Sequence, residues 1–95
     1  MTRITWAPQA VEDVEAIRAY VARDSPHYAG LVVERIVAAV AQLESSPRAG
    51  RLVPEIGDDS LRELIHRNYR IVYRLRDDII EIATVFHGAR LFRLD

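Results

Sequence analysis

Residues 68–90 read NYRIVYRLRDDIIEIATVFHGAR, and the placement of this stretch decides the fold. Two β-prone runs flank Asp77-Asp78, and their near-regular alternation marks both as strands. With Asp77-Asp78 as a two-residue turn, Arg76 opposes Ile79, Arg74 opposes Glu81, Val72 opposes Ala83 and Arg70 opposes Val85. One face then collects Tyr69, Ile71, Tyr73 and Leu75 with Ile80, Ile82, Thr84 and Phe86, an apolar set that requires cover by helices. The other face collects Arg70, Val72, Arg74 and Arg76 with Ile79, Glu81, Ala83, Val85 and His87, and is expected to look outward.

Upstream, Leu61–Arg67 forms a further strand, joined through Arg67-Asn68 as a weaker turn that places Leu61, Glu63 and Ile65 on the outward face and Asn68 near His87. Arg70, His87 and Arg90 are then expected to gather at one end of an open face, with Arg74, Glu63 and Glu81 further in. Ser46 to Ser60 (SPRAGRLVPEIGDDS) is rich in Pro, Gly, Ser and Asp and reads as the longest loop. Before it, Ala10, Val14, Ile17 and Val21 give one helical stripe, and Val32, Ile36, Ala39 and Leu43 a second. Ser25-Pro26 supplies an N-cap and a first-turn proline, so the two helices form an antiparallel hairpin. Thr2–Trp6 is a short strand. The sequence therefore predicts one α+β domain over 1–95, in the order β-α-α-β-β-β, with helices packed on one face of the sheet.

Ninety-five residues, about half of them apolar, suffice for one core and no second domain. There is no cysteine, and His27, His66 and His87 are too scattered for a ligand set, so no metal and no cofactor are expected. Neither a membrane span nor a signal peptide is read, which makes the cytoplasm the expected location. The net charge of −1 is unevenly spread: residues 1–47 carry −2 and residues 48–76 carry +3. All thirteen basic residues are arginine, whose planar fork grips phosphate and carboxylate bidentately. Arg74 opposite Glu81 reads as a cross-strand ion pair, Tyr73 and Phe86 as core, and Glu12 and Asp13 as helix surface. Two arginines and a histidine could stabilise a phosphorane and move one proton in metal-free RNA cleavage, with Glu63 as the remaining acid or base. They could equally bind an acidic partner without chemistry.

The run RELIHRNYRIVYRL followed by DDIIEIATVFHGAR resembles the C-terminal half of the RelE/ParE superfamily of type II toxin–antitoxin toxins, and WAPQAVEDVEAIRAYV, the SP junction, LESSPRAGR and VPE are similar to ParE-like members. The resemblance implies a bacterial growth inhibitor, ParE-like, that binds DNA gyrase and is neutralised by a cognate antitoxin lying along the hairpin groove and the sheet. The alternative it implies is a RelE-like endonuclease cutting mRNA in the ribosomal A-site. Under that alternative Arg70 in YRIVY and Arg90 in HGAR match the family's substrate arginines, with His87 and Glu63 as the other catalytic candidates. Arg62 and Glu63 stand where those enzymes carry lysines, and no tyrosine follows His87, which favours the binding reading. Under either reading Arg62, Arg70, Arg74, Arg76 and Arg90 are the residues expected to meet antitoxin or target.

Overall fold

The computed structural model describes residues 2–88. Its elements are β1 (Arg3–Trp6), α1 (Pro8–Ala22), α2 (Pro26–Ala41) with a 3-10 turn at Gln42–Glu44, β2 (Arg51–Leu52), β3 (Leu61–His66), β4 (Tyr69–Arg76) and β5 (Ile79–His87). They form a five-stranded mixed sheet in the order β1-β5-β4-β3-β2, in which β1 runs parallel to β5 and the other neighbours are antiparallel. The α+β architecture read from the sequence is thus present, with β2 as an added two-residue edge inside the long loop.

Both helices begin at proline, which has no backbone N–H to leave orphaned in the first turn. At α2 the Ser25 hydroxyl accepts from the Tyr28 N–H at 3.1 Å, as a helix N-cap should. Ala10 and Val14 of α1 and Ala29, Val32, Ile36 and Val40 of α2 are buried, and Leu43 of the 3-10 turn extends their stripe. Ala29 aside, these residues meet Ile71, Tyr73, Ile80, Ile82 and Val85 from the sheet, with Trp6, Leu64 and Leu75 at the margin.

The strand turns follow the predicted register. Arg76 pairs with Ile79, His66 with Tyr69, and the first residue of each turn, Asp77 or Arg67, takes a left-handed φ of 50° or 54°. That backbone matches the right-handed twist of paired strands, at a cost of about 1–2 kcal/mol for a residue with a Cβ.

Midway along the hairpin the register departs from a regular ladder. Tyr73 opposes Ile82, yet Val72 opposes Thr84, so Ala83 is an extra residue and β5 carries a bulge. Every side chain beyond it changes face. Val85 turns into the helix-side core, whereas Phe86 joins Val53, Leu61 and Val72 on the other side. The expectation of Phe86 inside and Val85 outside is therefore reversed, and Arg70 opposes Phe86 rather than Val85.

Asp13 sits at this irregularity. The pairing of β1 with β5 ends at Trp6 and Ile82, and past that end the Asp13 carboxylate accepts from the Val85 N–H at 3.0 Å and from the Thr84 hydroxyl. Asp13 thus ties α1 to β5 rather than lying idle on the helix surface.

The second sheet face is not bare. The segment 53–60 folds over it, placing Val53 and Ile56 against Leu61, Val72 and Phe86. Gly57, at φ 72°, donates its N–H to Val53 O at 2.9 Å and closes the turn that lets the loop double back. At the other end of the loop, the buried Tyr73 hydroxyl donates to Pro47 O at 2.8 Å and accepts from Gly50 N at 2.9 Å. A Cβ on Gly50 would lie 2.6 Å from that hydroxyl and from Glu63 O, so glycine alone fits there.

Candidate functional site

Beneath the loop lies a buried network of charge. Glu63 on β3 is 1% exposed and Arg70 on β4 is 6% exposed, and they are the buried charged residues among those described. A guanidinium and a carboxylate at these positions need one another, because an unpaired interior charge is far costlier than a paired one. The Arg70 Nε donates to Glu63 Oε2 at 2.7 Å, while its Nη1 and Nη2 grip the two oxygens of Glu55 at 2.8 Å each. Glu63 Oε1 accepts from the Arg51 Nε at 2.8 Å. Arg70 also lies over the Phe86 ring, 5.1 Å from its centroid, a contact that exists because the bulge turns Phe86 to this face.

The two carboxylates differ in setting. Glu63 belongs to a strand and its side chain is wholly enclosed, whereas Glu55 belongs to the loop and its side chain is 21% exposed. The hydrogen bonds Arg70 donates to Glu55, more than the one to Glu63, raise its pKa above the ordinary arginine value, against the lowering effect of burial. A cleft of about 460 Å³ opens beside the pair, walled by Arg51, Pro54, Ile65, Arg67 and Asn68.

The other residues singled out in the sequence are dispersed. His87 stands beside Tyr69, with ring centroids 6.2 Å apart in an edge-on arrangement. Tyr69 packs against the helix-side core, so His87 lies on the opposite face from Arg70 and not with it, a direct consequence of the bulge. Arg62 opposes Tyr73 and donates from Nη1 to Gly50 O at 2.9 Å, beneath the 47–50 loop. Arg74 opposes Glu81 as expected, but its Nη1 reaches Ser60 Oγ at 3.2 Å and Asp58 at 4.0 Å. Hydrogen bonds from Ser60, with smaller help from Arg74 and Arg76, hold the Asp58 carboxyl below its ordinary value. Arg76 is exposed at the Asp77-Asp78 end. Arg90 lies outside the described residues.

The expected open cluster of Arg70 and His87 is thus absent, and the arginine is engaged by acids of its own chain. Glu55, which holds Arg70, and Arg51, which holds Glu63, were missed. The one available signal was their position in the loop directly before β3, within reach of an outward-facing Glu63. No described helix is long and apolar enough to cross a membrane.

Comparison with known proteins agrees with this fold. The family described as the ParE toxin of the type II toxin–antitoxin system parDE matches residues 4–92. Toxin RelE2 of Caulobacter vibrioides is 34% identical over 92 residues, covering 96% of this chain and 100% of that protein. A putative toxin, Y4kP of Sinorhizobium fredii, is 39% identical over 91 residues, covering 90% and 88% of the respective chains. A solved chain from the chromosomal ParDE toxin–antitoxin system of P. aeruginosa superposes with a TM-score of 0.76 at 26% identity, over 92% of this chain and 96% of that one. The chain described here belongs to the ParE toxin family, within the RelE/ParE superfamily of type II toxin–antitoxin toxins.

Proposed function

We propose that this toxin arrests bacterial growth from the cytoplasm by binding DNA gyrase, without cutting RNA, and that its cognate antitoxin relieves the arrest. The observation that carries this reading is the engagement of Arg70 by Glu55 and Glu63. Metal-free RNA cleavage requires a cation aimed at the phosphate and proton-transfer groups within reach of the same atoms. Here the guanidinium is directed at carboxylates, and His87 stands on the other side of the sheet. Of the arginines expected to meet antitoxin or target, Arg74 and Arg76 reach the surface at the Asp77-Asp78 end, where a binding partner can approach them. In support of the alternative, a RelE-like ribosome-dependent endonuclease in which Arg70, Arg90, His87 and Glu63 would serve catalysis, stands the name of the Caulobacter relative.

Two assays on the purified protein separate the readings. The gyrase reading expects loss of DNA supercoiling activity on addition of the toxin, with mRNA in a translating extract left intact. Cleavage in the ribosomal A-site with supercoiling unaffected, slowed by Arg70→Ala, overturns it.

A further inference from the structure

The arrangement around Arg70 has the form of an occupied binding site whose occupant is part of the same chain. A guanidinium with both terminal nitrogens on one carboxylate and its Nε on another is fully satisfied, yet the two acids are not equivalent. Glu63 is enclosed, fixed on a strand and shared with Arg51, so nothing from outside can take its place. Glu55 reaches in from a loop that is anchored at Val53 and turned at Gly57, and it meets the cleft. Its carboxylate is the part that can leave without unpairing Glu63.

We propose that Glu55 is an exchangeable internal ligand: a carboxylate carried by an acidic peptide segment of a partner protein enters the cleft and replaces it on Arg70. Carboxylate for carboxylate preserves the bidentate fork and the local charge, so the exchange leaves no buried ion unpaired. A phosphate is the poorer substitute, because a larger and more highly charged group would stand next to the enclosed Glu63. The cleft suits a peptide further. Pro54 and the half-exposed Ile65 offer an apolar wall, and Arg51 and Arg67 add positive charge at the rim. The proposal stands whichever target the toxin has.

The experiment uses the full chain, labelled so that the arginine Nε–H signals can be followed, titrated with the blocked peptide acetyl-Leu-Glu-Leu-amide. Glutamine in place of the peptide's glutamate and inorganic phosphate serve as the comparison ligands. Removing the internal competitor raises the fraction of binding-competent sites, so Glu55→Gln should bind the glutamate peptide at least about tenfold more tightly than the unaltered chain. The Arg70 Nε–H signal should move, and the glutamine peptide should bind neither protein. Glu55→Asp, which retains the charge on a shorter stem, should fall between the two and serves alone if Glu55→Gln does not fold. Equal affinity for the unaltered and altered chains overturns the proposal, as does a preference of Glu55→Gln for phosphate over the peptide.

Discussion

On the helix side of the sheet, Ile36, Ile71, Tyr73, Ile80 and Ile82 are enclosed among aliphatic neighbours from two long helices. On the loop side, Val53, Leu61, Val72 and Phe86 share their layer with Glu63 and Arg70. The difference follows from what covers each face. A helix presents an apolar residue every third or fourth position, so two helices can seal a face with hydrocarbon alone. The segment 53–60 brings only Val53 and Ile56 to that layer, and Glu63 and Arg70 are buried beside them as charges that neutralise one another. Such a layer is held by complementarity more than by burial, and removing one member should damage it more than its size suggests.

The sharpest way to break this comparison is to remove one charge. Glu63→Ala leaves Arg51 and the interior Arg70 short of a carboxylate, and it should cost about 3–5 kcal/mol in urea unfolding. Ile36→Ala, a cavity in the helix-side core, should cost about 2–5 kcal/mol. Replacing Glu63 by leucine and Arg70 by methionine together should recover much of the loss, because the two enclosed charges go together, while Arg51 and Glu55, which lose their partners, have side chains that reach solvent. If Glu63→Ala costs less than about 1 kcal/mol, as a surface pair would, the loop side is not an interior at all.

The same contrast explains what could be read in the sequence. The helix stripes, the two strand turns, and the placement of Leu61, Glu63 and Ile65 follow local periodicity, and they stand as expected. Ile82-Ala83-Thr84-Val85 carries no mark of a bulge, and the carboxylate that meets Thr84 and Val85 there comes from Asp13, far away in sequence. Period-two reasoning therefore holds up to Ile82 and inverts after it, which is why Phe86 and His87 were assigned to the wrong sides. The loop was equally opaque. Its composition signals turns, while its role as a lid depends on Val53 and Glu55 finding partners on β3 and β4. Half of the candidate site was thus legible, namely Glu63 and Arg70 on one face, and the loop residues that complete it were not.

The join between the two layers offers a middle-sized effect. Tyr73 packs on the helix side while its hydroxyl holds Pro47 and Gly50 at the start of the loop. Tyr73→Phe keeps the ring and leaves the buried Gly50 N–H without its acceptor, a loss of about 1–3 kcal/mol. Burial raises the Tyr73 pKa above the ordinary tyrosine value, so the folded chain keeps a proton that the unfolded chain releases from about pH 10 upward. The native state then binds more protons, and stability should decline as pH rises from there through the raised folded value. Tyr73→Phe should flatten part of that alkaline decline. Tyr69, also raised by burial, should account for another part.

The smallest effect expected is the most informative about how the site came to be arranged. Asp13→Ala removes acceptors from Thr84 and Val85 at a partly buried position, for a loss of about 1–2 kcal/mol. Its value lies in where the loss is felt. If Asp13 maintains the bulge, the Val85 amide should exchange its hydrogen markedly faster in the variant, while amides near the Asp77-Asp78 turn keep their protection. A relaxed β5 would also tend to return Phe86 towards the helices and withdraw its ring from Arg70, so the Arg70 Nε–H signal should shift although Asp13 does not touch it. Unchanged Val85 exchange and an unchanged Arg70 signal would mean that the strands set the bulge by themselves. In that case the face on which Arg70, Glu63 and Phe86 meet would be determined within the hairpin, and α1 would merely satisfy an N–H that the hairpin had already exposed.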